Sequence, residues 1–307
     1  MPRKTDWEGV FVVSATPSLE NGDLDEAAFG ALMETFVSDG VQGIIVAGST
    51  GEWYTQSDEE RVALFELARG HVPATVRLLA GTSAIGTRET VDLTAAAQSA
   101  GCDGAMVLPP PYALPNEREV VGHFEAVSEV GLPIMVYNNP GRTQVSVTPS
   151  MAAHLAQLPS VVALKDSSKD LYALAAVLRS VSDRLAVFSG LEPYARATID
   201  RGAAGIVSMC TNFMGARAVQ LYGLAKNGPQ DRAIALERVM DEIYEAFYLG
   251  GNSPYVIIKE CMNLMGRRAG YPRRPHLPLS DEDRDKLRSV LQRLGLLDQG
   301  SAALVAE

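Results

Sequence analysis

Eight short apolar runs recur along the chain, and their recurrence restricts the fold more than any other feature. They are Val10–Ala15, Gly43–Ala47, Arg77–Ala80, Gly104–Leu108, Ile134–Tyr137, Val161–Lys165, Ala186–Ser189 and Gly205–Ser208. Each is rich in Val, Ile or Leu, and most are bounded by Gly or Pro. Continuous apolarity, rather than alternation, suits strands covered on both faces, as in a parallel sheet. Amphipathic stretches separate them: Leu24–Val37, Asp58–Ala68, Thr87–Ala100, Glu117–Val130, Thr148–Gln157, Asp170–Val181, Glu192–Arg201 and Ala216–Ala225. In the first, Phe29, Leu32, Met33 and Phe36 fall at helical spacing, and Ser57 or Asp58 supplies an N-cap for the second. The runs start about 19 to 34 residues apart, the size of one βα unit.

Eight such units predict an α/β fold, a (β/α)8 TIM barrel over residues 1–228 that carries the active site. An open doubly wound sheet is the alternative. It would be favoured by a glycine-rich dinucleotide fingerprint, but the first strand leads into Thr16-Pro17-Ser18-Leu19. After residue 228 the strand signal stops, and Gln230–Phe247, Pro254–Met265 and Asp281–Leu296 read as helices. They predict a small C-terminal helical appendage over 229–298, followed by a frayed tail at 299–307.

The composition, 47% hydrophobic and 21% charged, suits a globular protein with a sizeable core. A net charge of −10 without a basic stripe argues against a nucleic-acid partner. Arg267-Arg268 and Arg273-Arg274 form a local basic patch that reads as solvated surface. Cys102, Cys210 and Cys261 are odd in number and set in apolar context, which predicts reduced buried thiols. The four histidines are isolated, so no metal site is expected. No signal-type N-terminus and no apolar run of membrane length is present, so the expectation is a cytoplasmic protein with no membrane contact.

Within the predicted barrel, chemistry belongs at the C-terminal ends of the strands. Lys165 closes the sixth run, Val161-Val162-Ala163-Leu164-Lys165, and the chain holds only six lysines against 21 arginines. A lysine in that position either snorkels to water or loses its proton through desolvation, which makes it a nucleophile toward carbonyls. Lys259, also in apolar surroundings but on a predicted helix, is the rival reactive lysine. Gly48-Ser49-Thr50-Gly51-Glu52 follows the second run, where small residues and two hydroxyls suit a carboxylate. Tyr137-Asn138-Asn139-Pro140-Gly141-Arg142 follows the fifth, with Tyr137 placed to relay protons and Arg142 to clamp a carboxylate. Ser189-Gly190 and Gly205-Ile206-Val207-Ser208 end the last two runs, where Gly190 and Gly205 would leave room for a small ligand.

Gly48–Glu52, Tyr137–Pro140 and Leu164-Lys165-Asp166, in this order and spacing, resemble the dihydrodipicolinate synthase and N-acetylneuraminate lyase family. The resemblance continues through Gly202–Ser208 and into Ile258–Gly266, so it covers most of the chain. It implies that Lys165 forms a Schiff base with a 2-keto acid, usually pyruvate, and that Tyr137 is the general acid/base. It further implies that Ser49 and Thr50 hold the substrate carboxylate, that Ser49 shares in the proton relay, and that Gly48, Gly190 and Ile206 line the site. No metal or organic cofactor is implied. The expected assembly is a homotetramer built from tight dimers, or a homodimer. Arg142 stands where the synthase branch binds the carboxylate of its aldehyde.

The chain also departs from that branch. The synthases place two tyrosines after the fourth strand, the second reaching across the dimer. Here Pro111-Tyr112-Ala113 puts Tyr112 at the first and Ala113 at the second, unless a shifted alignment restores Tyr112 to the relay. Trp53 and Gln144 replace smaller residues of the synthases. These changes favour a relative that makes or breaks a bond to another anionic aldehyde, or dehydrates a keto-sugar acid. True 4-hydroxy-tetrahydrodipicolinate synthase is the alternative. A descendant that only binds keto acids is a third reading.

Overall fold

The computed structural model describes residues 3–297, so the expected tail at 299–307 lies outside the described residues. Eight parallel strands close into a barrel in sequence order. They are β1 (Gly9–Val13), β2 (Gly43–Val46), β3 (Arg77–Gly81), β4 (Gly104–Val107), β5 (Ile134–Asn138), β6 (Val161–Asp166), β7 (Ala186–Ser189) and β8 (Gly205–Ser208). The helices of the barrel are α1 (Glu26–Asp39), α2 (Asp58–His71), α3 (Thr87–Ser99), α4 (Glu117–Ser128), α5 (Pro140–Thr143), α6 (Pro149–Leu155), α7 (Leu171–Val181), α8 (Ala195–Ile199), α9 (Thr211–Met214) and α10 (Ala216–Asn227). Three more follow: α11 (Gln230–Ala246), α12 (Pro254–Leu264) and α13 (Asp281–Arg293). The expected TIM barrel and C-terminal helices are therefore present. No described helix is long and apolar enough to cross a membrane.

The uniform apolarity of the strands has the expected cause, because each strand faces two cores. Phe11, Ile45, Leu79, Met106, Met135, Ala163, Phe188 and Val207 fill the barrel interior. Phe11 meets Phe188 at 5.0 Å and Trp7 at 6.0 Å between ring centroids, so the lower lumen is packed rather than open. The intervening residues, such as Ile44, Leu78, Val136 and Leu164, pack outward against the helices. All three cysteines are buried and free. Ser57 caps α2 through a full capping box with Glu60, which settles the choice between Ser57 and Asp58.

Three sequence expectations change. Gly205 makes no room for a ligand: a Cβ there would lie 1.9 Å from the Gly9 carbonyl oxygen, so the glycine permits closure of β8 on β1. The stretch Glu192–Arg201 is not one helix, because Glu192–Tyr194 forms a 3₁₀ turn through Pro193 before α8 begins. Arg273 is not solvated surface. It is buried and forks onto Glu60, with nitrogen–oxygen distances of 2.7 and 3.0 Å.

The last three helices turn back over the end of the barrel where the strands reach their C-termini. Helix α11 packs on the 192–194 turn, and α12 packs on α9 and on the short 3₁₀ turn Ser49–Gly51. Helix α13 braces α11 and α12 from outside.

Candidate active site

Lys165 and Tyr137 are register partners on β6 and β5, with side chains in the same lumen. Lys165 Nζ lies 3.9 Å from the centroid of the Tyr137 ring. Only 3% of Lys165 is exposed, and among the described residues it forms no ion pair. Burial pushes its pKa down to about 7 from 10.5, and the charge of Glu192 opposes that fall only in part. The amine is thus substantially neutral near pH 7 and free to attack a carbonyl. Asp166, next in sequence, faces away. Its carboxylate accepts from Asn138 Nδ2 at 2.6 Å and from the Ser168 hydroxyl at 2.7 Å, which ties the β5 and β6 ends together.

Gly190 is required here for the space it leaves. A Cβ at that position would stand 2.0 Å from Ser167 Oγ and 3.0 Å from Lys165 Cε. Gly48 plays the same part on the other side, where a Cβ would lie 2.7 Å from Val13 Cγ1.

Tyr137 is fully buried, and its burial raises the phenol pKa above the usual value. The nearby side chains of Ser167, Asn139 and Ser49 oppose that rise, and Asn139 Nδ2 donates to the phenol oxygen at 2.8 Å. The phenol is therefore protonated at neutral pH and held in one orientation beside the amine.

Ser49 and Thr50 begin a tight turn whose entry and exit are both left-handed, with φ of 49° at Ala47 and 58° at Glu52. Both hydroxyl residues are buried there. Glu52 does not face the lumen. Its carboxylate forms a 2.5 Å ion pair with Lys259 on α12, and it also accepts the Arg273 backbone N–H at 3.1 Å. Lys259 in addition donates to Ser18 Oγ at 2.9 Å and to the Tyr271 carbonyl at 2.7 Å. The rival lysine is thus fully partnered, by groups outside β5 and β6.

Arg142 sits on α5, directly after β5, with its guanidinium carbon 5.1 Å from the Tyr255 ring centroid. The structure therefore gathers Lys165, Tyr137, Ser49, Thr50, Gly48, Arg142 and Gly190 at one rim. Two expected residues stand apart. The Ile206 side chain packs in the outer core, toward the helices. Tyr112 lies on the loop after β4, left-handed at φ 70° and 87% exposed, away from the lumen of its own chain.

Two members of the cluster escape sequence reading. Glu192, wholly buried, accepts from Ser208 Oγ at 2.7 Å and from the backbone N–H groups of Met209 and Cys210 at 2.8 Å each, and Tyr244 donates to its other oxygen. Tyr255 is delivered by α12 and reads as an ordinary apolar helix residue in the sequence. Only the tertiary path of α12 places it beside Ser49. Among the described residues no group of three His, Cys, Asp or Glu is placed to hold a metal ion.

Comparison with known proteins agrees with this fold. The family model of the dihydrodipicolinate synthetase family matches residues 6–294. An uncharacterized DapA-like lyase of Rhizobium meliloti is 43% identical over 297 residues, covering 97% of this chain and 99% of the relative. The 4-hydroxy-tetrahydrodipicolinate synthase of Bacillus subtilis is 32% identical over 281 residues, covering 91% and 96%. Among solved structures, YagE of E. coli K12, a dihydrodipicolinic acid synthase family protein in complex with pyruvate, superposes with a TM-score of 0.91 at 29% identity, covering 95% and 100%. On fold, motifs and similarity together, the chain belongs to the dihydrodipicolinate synthetase family and is a lyase of the aldolase type.

Proposed function

We propose that this lyase works through a Schiff base between Lys165 and a 2-keto acid such as pyruvate or a 2-keto-3-deoxy acid. The observation that carries this reading is the unpaired amine of Lys165, brought to about 7 by burial and set against Tyr137 at the barrel rim. The neutral amine attacks the ketone carbon; as the C–N bond forms, the C=O π pair moves onto oxygen, which gains a proton as the nitrogen loses one, giving a carbinolamine. Tyr137 protonates the hydroxyl as it leaves as water, and the nitrogen lone pair closes the imine. The protonated imine then accepts the electron pair of a neighbouring bond, so that an adjacent carbon loses or gains a substituent as an enamine. Ser49 and Thr50 hold the substrate carboxylate at the turn after β2, with Gly48 and Gly190 providing clearance. The lysine supplies the electrophilic activation, so the reading needs no metal or organic cofactor.

Arg142 gives the second substrate its character. A guanidinium at the rim, already stacked on a ring and free to fork onto a carboxylate, suits an anionic aldehyde or sugar-acid product. The 32% identity to a 4-hydroxy-tetrahydrodipicolinate synthase supports a second reading, condensation of pyruvate with aspartate semialdehyde. Ala113 and Trp53 weigh toward the broader lyase. We further place the reaction in the barrel, residues 1–228, with 229–298 completing it, in a cytoplasmic homotetramer or homodimer. The exposed Tyr112 loop supports an assembly in which a second copy covers that face.

The test is trapping. Pyruvate with borohydride is expected to leave a reduced adduct on Lys165, read by peptide mass spectrometry. No adduct, or an adduct on Lys259 alone, would contradict the assignment.

A further inference from the structure

We propose that Tyr255 is the second phenol of the reaction site, passing a proton through Ser49 to Tyr137 within a single chain. The proposal rests on the Schiff-base reading and adds to it a residue from the C-terminal helices.

Five placements carry it. Tyr255 is the second residue of α12, which Ser253 caps and Pro254 starts, so the first turn of that helix is rigidly aimed. Helix α12 packs on Ser49–Gly51. Tyr255 is 5% exposed, its ring centroid lies 5.1 Å from the Arg142 guanidinium carbon, and its phenol neighbours the Ser49 side chain. Ser49 in turn neighbours the Tyr137 phenol. On its outer side Tyr255 meets Tyr54, with ring centroids 6.4 Å apart, and Tyr54 opens to solvent.

The chemistry explains why a third hydroxyl is needed. Tyr137 is buried, and its fixed neighbour Asn139 is an amide that cannot replace a proton. A serine can pass a proton only by receiving one, since it holds no stable alkoxide at neutral pH. Tyr255 supplies it. As the carbinolamine C–O bond breaks, the departing oxygen takes the Tyr137 proton, Tyr137 takes that of Ser49, and Ser49 takes that of Tyr255. One positive charge appears on the imine and one negative charge on the Tyr255 phenolate, which faces the Arg142 guanidinium. The reverse transfer accompanies hydrolysis of the imine.

Tyr255→Phe tests this directly, because it keeps the ring under Arg142 and removes only the hydroxyl. Adduct formation on Lys165 is followed by mixing with pyruvate and quenching with borohydride at timed intervals. The expected result is a rate about 10-fold slower or more, with the pyruvate KM within about 2-fold of wild type. Ser49→Ala breaks the same path at its middle. The double variant is expected to be no slower than the slower single variant, since both remove one relay. A wild-type rate in Tyr255→Phe, or rate losses that multiply in the double variant, would overturn the proposal. Absence of any adduct in the wild-type protein would instead overturn the Schiff-base reading itself, so the two failures are distinguishable.

Discussion

The two buried lysines Lys165 and Lys259 meet opposite fates, and the difference lies in their partners. Lys259 has a carboxylate at 2.5 Å, a hydroxyl and a carbonyl. Lys165 has an aromatic face and, further off, the charge of Glu192, which is already engaged by Ser208, Tyr244 and two backbone N–H groups. Burial lowers both pKa values, but at Lys259 the ion pair opposes it at contact distance. Neutrality therefore belongs to Lys165. At this scale Tyr137 is the second decisive residue. Tyr137→Phe is expected to slow turnover by roughly 100-fold, because the ring that packs under the amine stays and the proton carrier goes. Steady-state assay with a 2-keto acid substrate checks this, and turnover near wild type would remove Tyr137 from the mechanism.

At the scale of elements, the turn after β2 is held from behind. Glu52, the last residue of the Gly48–Glu52 segment, adopts a left-handed conformation and turns its carboxylate away from the lumen into α12. Arg273, on the strap between α12 and α13, bonds Glu52 through its backbone and Glu60 through its side chain. The C-terminal helices thus fix the position of Ser49 and Thr50. Lys259→Met should leave Glu52 buried without a counterion and cost about 3–5 kcal/mol of stability. Adding Glu52→Gln should recover a good part of that loss, because it removes the stranded charge. Urea melts of the single and double variants measure both. A single variant as stable as wild type would show that the pair is not holding the turn.

For the whole molecule, the buried amine of Lys165 carries a cost in stability. Its pKa is about 7 folded and 10.5 in the ordinary state. Between those two pH values the unfolded chain binds a proton that the folded chain does not, so this residue makes stability rise with pH across that window. Below pH 7 the penalty is complete. Lys165→Met is therefore expected to stabilise the protein at pH 7 by on the order of 2 kcal/mol or more, seen as a melting temperature higher by about 4 °C. The gain should shrink toward pH 10, because the penalty falls as pH rises through that window and disappears only above 10.5, where the amine is neutral in both states. Paired thermal melts at the two pH values decide it, and a gain independent of pH would mean that packing rather than charge is responsible.

The chain's own order of residues determined the eight strands, most of the helices between them and the rim positions of Lys165, Tyr137, Ser49 and Arg142. The reason is that a parallel barrel repeats one local pattern, so strand ends, and with them the active groups, can be counted along the chain. The same reading misjudged Gly205 and Arg273, whose surroundings come from remote segments: the backbone of Gly9 for one, and Glu60 with the 3₁₀ turn ending at Thr55 for the other. Glu192 and Tyr255 were invisible for a related reason. Nothing local distinguishes a carboxylate that gathers two strand ends and α11, or a helix tyrosine that faces Ser49, from an ordinary surface glutamate or core ring. The path of the last three helices back over the barrel decided both, because only a folded chain brings residues 49 and 255 together.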